Sequence, residues 1–118
     1  MDYKELEVWK KSIQLVKEIY ELTQKFPDTE KYGLVSQMRR CAVSIPSNIA
    51  EGSNRNTTKD YIHYLFMARG SINEYQYFIL LSRDLKFLGE ETFIRLEEMS
   101  TNVAIKLNAL IKSLKSKL

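Results

Sequence analysis

Apolar side chains recur at alternating spacings of three and four along almost the whole chain, with only two prolines and four glycines to interrupt them. That rhythm buries one stripe of an α-helix and does not fit the strict alternation of a half-buried strand. At average usage, prolines and glycines would be roughly twice as frequent or more, so long helices can run unbroken here. The 118 residues, 44% of them hydrophobic, suit one compact domain. Such a domain buries roughly two-thirds of its unfolded surface. The expectation is a single all-α domain over residues 1–118.

Leu6, Trp9, Ile13, Val16, Tyr20 and Thr23 trace the first stripe, with Asp2 and Glu5 spaced as a capping box before it. Phe26-Pro27-Asp28 stops the pattern, which predicts a first helix over about 4–25. Leu34, Met38, Cys41, Ile45 and Ile49 predict a second over about 30–52, started at Asp28 or Thr29 and ended by Gly52. Pro46 cannot donate to the carbonyl of Ala42 and crowds it, so a kink or restart is expected there, at a cost of about 3 kcal/mol. Ser44 and Ser47 are placed to satisfy the freed backbone groups.

Thr57 and Asp60 form another capping box and open a third helix over about 57–87. Its stripe Tyr61, Leu65, Ala68, Ile72, Tyr75, Ile79, Ser82 alternates strictly, and Tyr64, Met67, Ser71, Phe78, Leu81, Leu85, Leu88 form a second stripe beside it. No helix of a four-helix bundle is central, so so wide an apolar surface implies cover from another subunit. Leu88-Gly89 is expected to close this helix, and Glu90-Glu91 to open a fourth over about 90–115, with Phe93, Leu96, Met99, Val103, Leu107, Leu110 and Leu114 as its stripe. Connections this short predict an antiparallel up-down-up-down four-helix bundle, its second helix kinked at Pro46.

Nothing in the chain approaches the roughly 18 to 20 apolar residues of a membrane span, and Met1-Asp2-Tyr3-Lys4-Glu5 lacks the apolar core of a signal peptide, so no membrane role and a cytoplasmic location are expected. Cys41 is the only cysteine, which excludes an intrachain disulfide or multi-cysteine metal site and reads as a small buried hydrophobe. The net charge of +3 is unevenly spread. Residues 31–59 carry five basic and one acidic side chain, and residues 99–118 carry four basic and none acidic, whereas 1–30 and 60–98 are each net acidic.

Catalytic bundles commonly carry paired Glu-x-x-His motifs on facing helices, and this chain has a single histidine. His63 has Asp60 three residues before it, but one such pair cannot hold a di-metal centre, so an ordinary helical histidine is the preferred reading and neither metal nor cofactor is implied. Serine or cysteine catalysis would depend wholly on His63, and no glycine-rich phosphate loop occurs. Glu90-Glu91 and Glu97-Glu98 read as solvated helix faces. The expectation is a binding protein, not an enzyme.

Polar residues and a proline interrupt the second helix over Val43-Ser44-Ile45-Pro46-Ser47-Asn48-Ile49-Ala50-Glu51-Gly52. Together with Leu6-Glu7-Val8-Trp9-Lys10, Phe26-Pro27, Glu30, Tyr32-Gly33-Leu34, Gln37, Arg39-Arg40, Arg55, Ala68-Arg69-Gly70-Ser71 and Glu74, this run resembles a family of small four-helix bundles. The family is named after proteins encoded in intervening sequences of bacterial 23S ribosomal RNA and is related to accessory variability determinants of diversity-generating retroelements. The resemblance covers nearly the whole chain, with Ser44, Pro46, Asn48, Glu51 and Gly52 as its motif. It implies a ring-shaped homo-oligomer, a pentamer, in a bacterial cytoplasm. Its retroelement relatives look like basic barrels that contact nucleic acid and a reverse transcriptase.

Arg39, Arg40, Arg55, Lys59, Lys112, Lys115 and Lys117 are accordingly the candidates for contacting phosphates of RNA or another nucleic acid. The competing reading pairs Arg39 and Arg40 with Glu51 or Glu74 inside the bundle or at a subunit seam, and treats the lysine tail as a complement to the negative helix end. Tyr61, Tyr64, Tyr75 and Tyr77 have the ring faces to stack bases, although three of them lie on or beside the apolar stripes. A protein-interaction adaptor that never touches nucleic acid is the second class of function the sequence allows.

Overall fold

A computed structural model describes residues 2–118; Met1, the first residue of the N-terminal segment read above, lies outside them. Four helices carry the fold: α1 (Glu7–Thr23), α2 (Leu34–Ser53), α3 (Thr58–Asp84) and α4 (Glu90–Lys115), with no strand among the described residues. α1 packs on α2 and α4, and α3 packs on α2 and α4, while the diagonal pairs do not meet. The closed square of neighbours surrounds one apolar core. α2 and α3 form the most extensive pair. Along it Gly52 lies against Tyr61 and Tyr64 at one end and Met38 against Ser82 at the other, so the two helices run in opposite directions. The 46 Å long dimension is close to what the 27-residue α3 spans, about 40 Å at 1.5 Å per residue.

The helix ends differ from expectation for local reasons. Asp2 does cap, but its carboxylate accepts from the Lys4 amide to close a 3-10 turn over Tyr3–Glu5. Leu6 is extended, so α1 begins only at Glu7 and without a side-chain cap. A second 3-10 turn, Asp28–Glu30, takes the place of the expected start of α2, which begins at Leu34. The Thr57 hydroxyl accepts from the Asp60 amide and caps α3 as its sequence suggests. α2 runs without a break through Pro46 from Leu34 to Ser53, so no restart occurs there.

Gly89 does not close α3. Lys86 does, in the left-handed conformation with φ 65°, while its amide bonds to the Arg83 carbonyl and that of Phe87 to the Ser82 carbonyl. This pair of bonds satisfies carbonyls left open at the helix end. It also turns Phe87 toward Phe26, whose ring centroid lies 5.3 Å away. Gly89 is the N-cap of α4 with an ordinary φ of −83°.

The predicted stripes of α2 and α3 are buried almost as written, with Tyr61 half-buried. α1 is rotated by about one position relative to expectation: Val8, Ser12, Leu15, Ile19 and Thr23 face the core, Trp9, Ile13 and Val16 are half-buried, and Tyr20 is exposed. Of the second α3 stripe, Phe78 and Leu88 are buried inside the bundle, Tyr64, Ser71 and Leu81 are half-buried, and Met67 and Leu85 remain exposed. Part of that surface is therefore covered by the chain itself.

Candidate nucleic-acid interface

Arg39 and Arg40 stand on the first half of α2, where Val35, Arg39 and Val43 follow one another every fourth residue and Ser36 and Arg40 run beside them. The turn at 31–33 and the last part of α1 wall off the other side with Lys31, Tyr32 and Tyr20. Between them lies an open groove of about 540 Å3 that no carboxylate lines. It adjoins the start of α2, where the Glu30 carboxylate lies 3.9 Å from the Cβ position of the N-cap Gly33 and offsets the positive helix end.

One cation in this groove, Arg39, is held in place. Arg39 Nε donates to Thr23 Oγ1 at 3.0 Å and its Nη2 to the Tyr20 carbonyl at 3.4 Å, while the guanidinium lies 4.6 Å from the Tyr20 ring centroid. Thr23 in turn donates to the Ile19 carbonyl at 2.6 Å, which lets a hydroxyl sit in the core and accept from Arg39. Arg39 thus leans on α1 with neutral partners, and it pairs with neither Glu51 nor Glu74. Arg40 is exposed and joins no ion pair among the described residues. Lys31 Nζ lies 5.6 Å from the ring centre of Tyr32, and that tyrosine is 89% exposed.

The remaining candidates belong elsewhere. Thirteen residues of α2 separate Arg39 from Gly52, about 20 Å of helix rise, so Arg55 and Lys59 lie toward the opposite end of the bundle. Arg55 is engaged there: it pairs with Glu51 at 2.7 Å, bonds to the Tyr64 hydroxyl and lies over that ring. Lys59 and Lys115 do come together, on a groove of about 330 Å3 floored by Ile62 and Phe66 and edged by His63. Lys115 and Arg69 both lie over the Phe66 ring, at 5.0 and 4.7 Å. Lys112 and Lys117 are exposed on the last turns of the chain and join no ion pair among the described residues.

Sequence reasoning missed Lys31, Tyr32 and Tyr20. The signal for the first two was a basic-aromatic pair directly before Gly33, in a turn; Tyr20 was hidden by its apparent place on the α1 stripe. The tyrosines that were singled out divide differently: Tyr75 is buried, Tyr61 and Tyr64 are half-buried, and Tyr77 is exposed. Burial, then Glu18 and Cys41, push the Tyr75 phenol above its ordinary range, against a smaller opposing effect of Arg95. Burial also pushes Tyr61 up.

The motif residues line the seam between α2 and α3. Ser44 Oγ donates to the Cys41 carbonyl at 2.8 Å and shares a hydrogen bond with the Ser71 hydroxyl, while Asn48 Nδ2 donates to the Ser44 carbonyl at 2.8 Å. Pro46 is buried, Glu51 holds Arg55, and Gly52 sits where a Cβ would meet Tyr64 Cβ at 2.8 Å. Cys41 is buried and donates to the Ser71 carbonyl; burial and then the Glu74 carboxylate push its thiol far up, which makes it a poor nucleophile. Among the described residues no three His, Cys, Asp or Glu side chains converge as a metal site requires. No described helix is long and apolar enough to cross a membrane.

Comparison with known proteins agrees with the arrangement of helices. The family described as 23S rRNA-intervening sequence protein matches residues 4–109. A crystal structure of a protein with unknown function from the S23 ribosomal protein family, from Bacteroides thetaiotaomicron, superposes with a TM-score of 0.83 at 24% identity, over 89% of this chain and 98% of that one. That likeness shows the fold. No curated protein matches the sequence.

Proposed function

The chain belongs to the 23S rRNA-intervening sequence protein family, and from that premise we propose that it is a non-enzymatic, homo-oligomeric bundle protein that binds RNA or another nucleic acid through basic surface. The observation that carries this reading is the α1–α2 groove, where Lys31, Arg39 and Arg40 stand together with no acid among them. Three cations on one concave surface attract a polyanion, and Arg39 is preorganised by its bonds to α1, so less ordering is needed on binding. The Lys59–Lys115 groove is a secondary basic surface of the same kind. Phosphates would supply affinity without sequence reading. The bundle works in the cytoplasm as a ring, a pentamer in keeping with the family resemblance.

Titration with a structured RNA at several salt concentrations tests this. Phosphate-driven binding weakens steeply as salt rises, by about 0.7 to 0.9 in log K per log salt for each contact. Absence of binding at low salt would overturn the reading in favour of a protein-interaction adaptor.

A further inference from the structure

We infer that the α1–α2 groove takes an unpaired base of single-stranded RNA, stacked on Tyr32, with the neighbouring phosphates on Lys31 and Arg40. This rests on the nucleic-acid reading above and narrows it to one strand state. Tyr32 is 89% exposed, far more than its place beside a packed helix start requires, and its ring lies in the groove wall. It buries little against its own chain, and its ring remains open to a planar partner. Two aromatic rings face the groove and each already has a cation over it, Arg39 over Tyr20 and Lys31 over Tyr32. A base stacked beside them brings its own phosphates within reach of Lys31 and of the exposed Arg40 on the same groove.

The floor agrees with that chemistry. Val35 and Val43 give an apolar surface for a ring, and Ser36 adds a hydroxyl that can donate to or accept from a base edge. The volume, about 540 Å3, lies within the range of sites that hold a small organic group, roughly 300–1,000 Å3. A duplex cannot use such a site, because its bases are stacked on one another and the A-form major groove is too narrow for side chains to read; splayed bases of single strands and loops can. An acidic peptide would satisfy the cations and leave the exposed ring without a role.

The test compares a fluorescein-labelled single-stranded uridine dodecamer with a blunt RNA duplex of equal length, by anisotropy at low salt, on the full chain and on Tyr32→Ala and Tyr32→Phe. The expected result is at least a tenfold preference for the single strand. Tyr32→Ala should lower single-strand affinity by about five- to a hundredfold, the worth of one base on an aromatic ring, and leave duplex binding unchanged. Tyr32→Phe should keep the affinity, since stacking needs the ring and not the hydroxyl. Far-UV circular dichroism checks that the variants fold, as so exposed a side chain should allow. Equal binding of both RNAs with no effect of Tyr32→Ala would overturn the stacking site and leave phosphate binding standing. Binding of neither RNA would overturn both.

Discussion

At the scale of single residues, the family motif is explained by packing before any ligand is considered. Gly52 lets α2 touch α3: an added Cβ would lie 2.8 Å from Tyr64 Cβ, and the Tyr61 carbonyl at 3.2 Å blocks a shift the other way. Gly52→Ala is therefore expected to lose about 1–3 kcal/mol of stability in urea unfolding despite alanine's better helix propensity. Gly70, with nothing within 4 Å of its Cβ position, is the control; Gly70→Ala should gain about 0.5–1 kcal/mol. Tyr75 presents the opposite case. Its hydroxyl is buried with no hydrogen-bond partner, so Tyr75→Phe should leave stability equal or raise it by about 1 kcal/mol. Cys41 and Tyr75 also set a pH dependence, because both are held protonated in the fold well above their ordinary range. Below the unfolded thiol's pKa, about 8.5, neither state has ionised and stability is level. Above it the unfolded chain loses protons that the folded chain keeps, so unfolding becomes easier as pH rises. Urea midpoints measured from pH 7 to 10 should fall accordingly, and Cys41→Ala should flatten the first part of that fall.

At the scale of elements, the end of α3 offers a prediction of its own. Lys86 adopts φ 65°, a conformation in which a side chain costs energy and glycine does not. Lys86→Gly should stabilise the bundle by about 0.5–1 kcal/mol in thermal unfolding, and Lys86→Val should cost more than it, since a β-branched chain fits that conformation poorly. This helix end was not legible because Gly89 looked like the natural stop, while the bonds that close α3 come from the backbone of Lys86 and Phe87. The four helices and the core faces of α2 and α3 were legible because their apolar spacing leaves one face to bury. The register of α1 was not, because its core face carries Ser12 as well as Thr23, and only Thr23 lies on the stripe read from the sequence. Ser12 donates to the Trp9 carbonyl at 2.7 Å and Thr23 to that of Ile19 at 2.6 Å. Their hydroxyls are satisfied within the helix and can be buried, while a larger apolar stripe one position away has the spacing of a core face. The groove suffered the same fate: Arg39 and Arg40 could be named from charge alone, but Tyr20 joins them only once α1 is turned outward.

At the scale of the whole molecule, the proposed ring makes a demand that a two-fold dimer does not. A ring closes through a heterologous contact, in which two different faces of each subunit meet. The bundle has two such faces free. On α3 the exposed Met67, Tyr77 and Leu85 fall along one side, and on α4 the exposed Ile94, Glu98, Thr101 and Ile105 follow spacings of 4, 3 and 4. Neither face contains the Tyr32 groove, so assembly through them leaves that groove open. Sedimentation should return a mass several times 13.9 kDa, five times in a pentamer. A charge set into either face, Met67→Glu or Ile105→Glu, faces desolvation without a partner, and each variant alone should sediment as a monomer with its helicity intact. Mixing the two distinguishes a contact of α3 with α4 from one that joins α3 to α3 or α4 to α4, and the wild-type mass then separates a ring from a two-fold dimer. Each mixed pair retains one undamaged contact, between the α4 face of the Met67 variant and the α3 face of the Ile105 variant, and has no second one with which to close. Equimolar mixing should therefore yield dimers and nothing larger. A wild-type monomer at micromolar concentration would overturn the ring, and tetramers or pentamers in the mixture would move the contact to some other face.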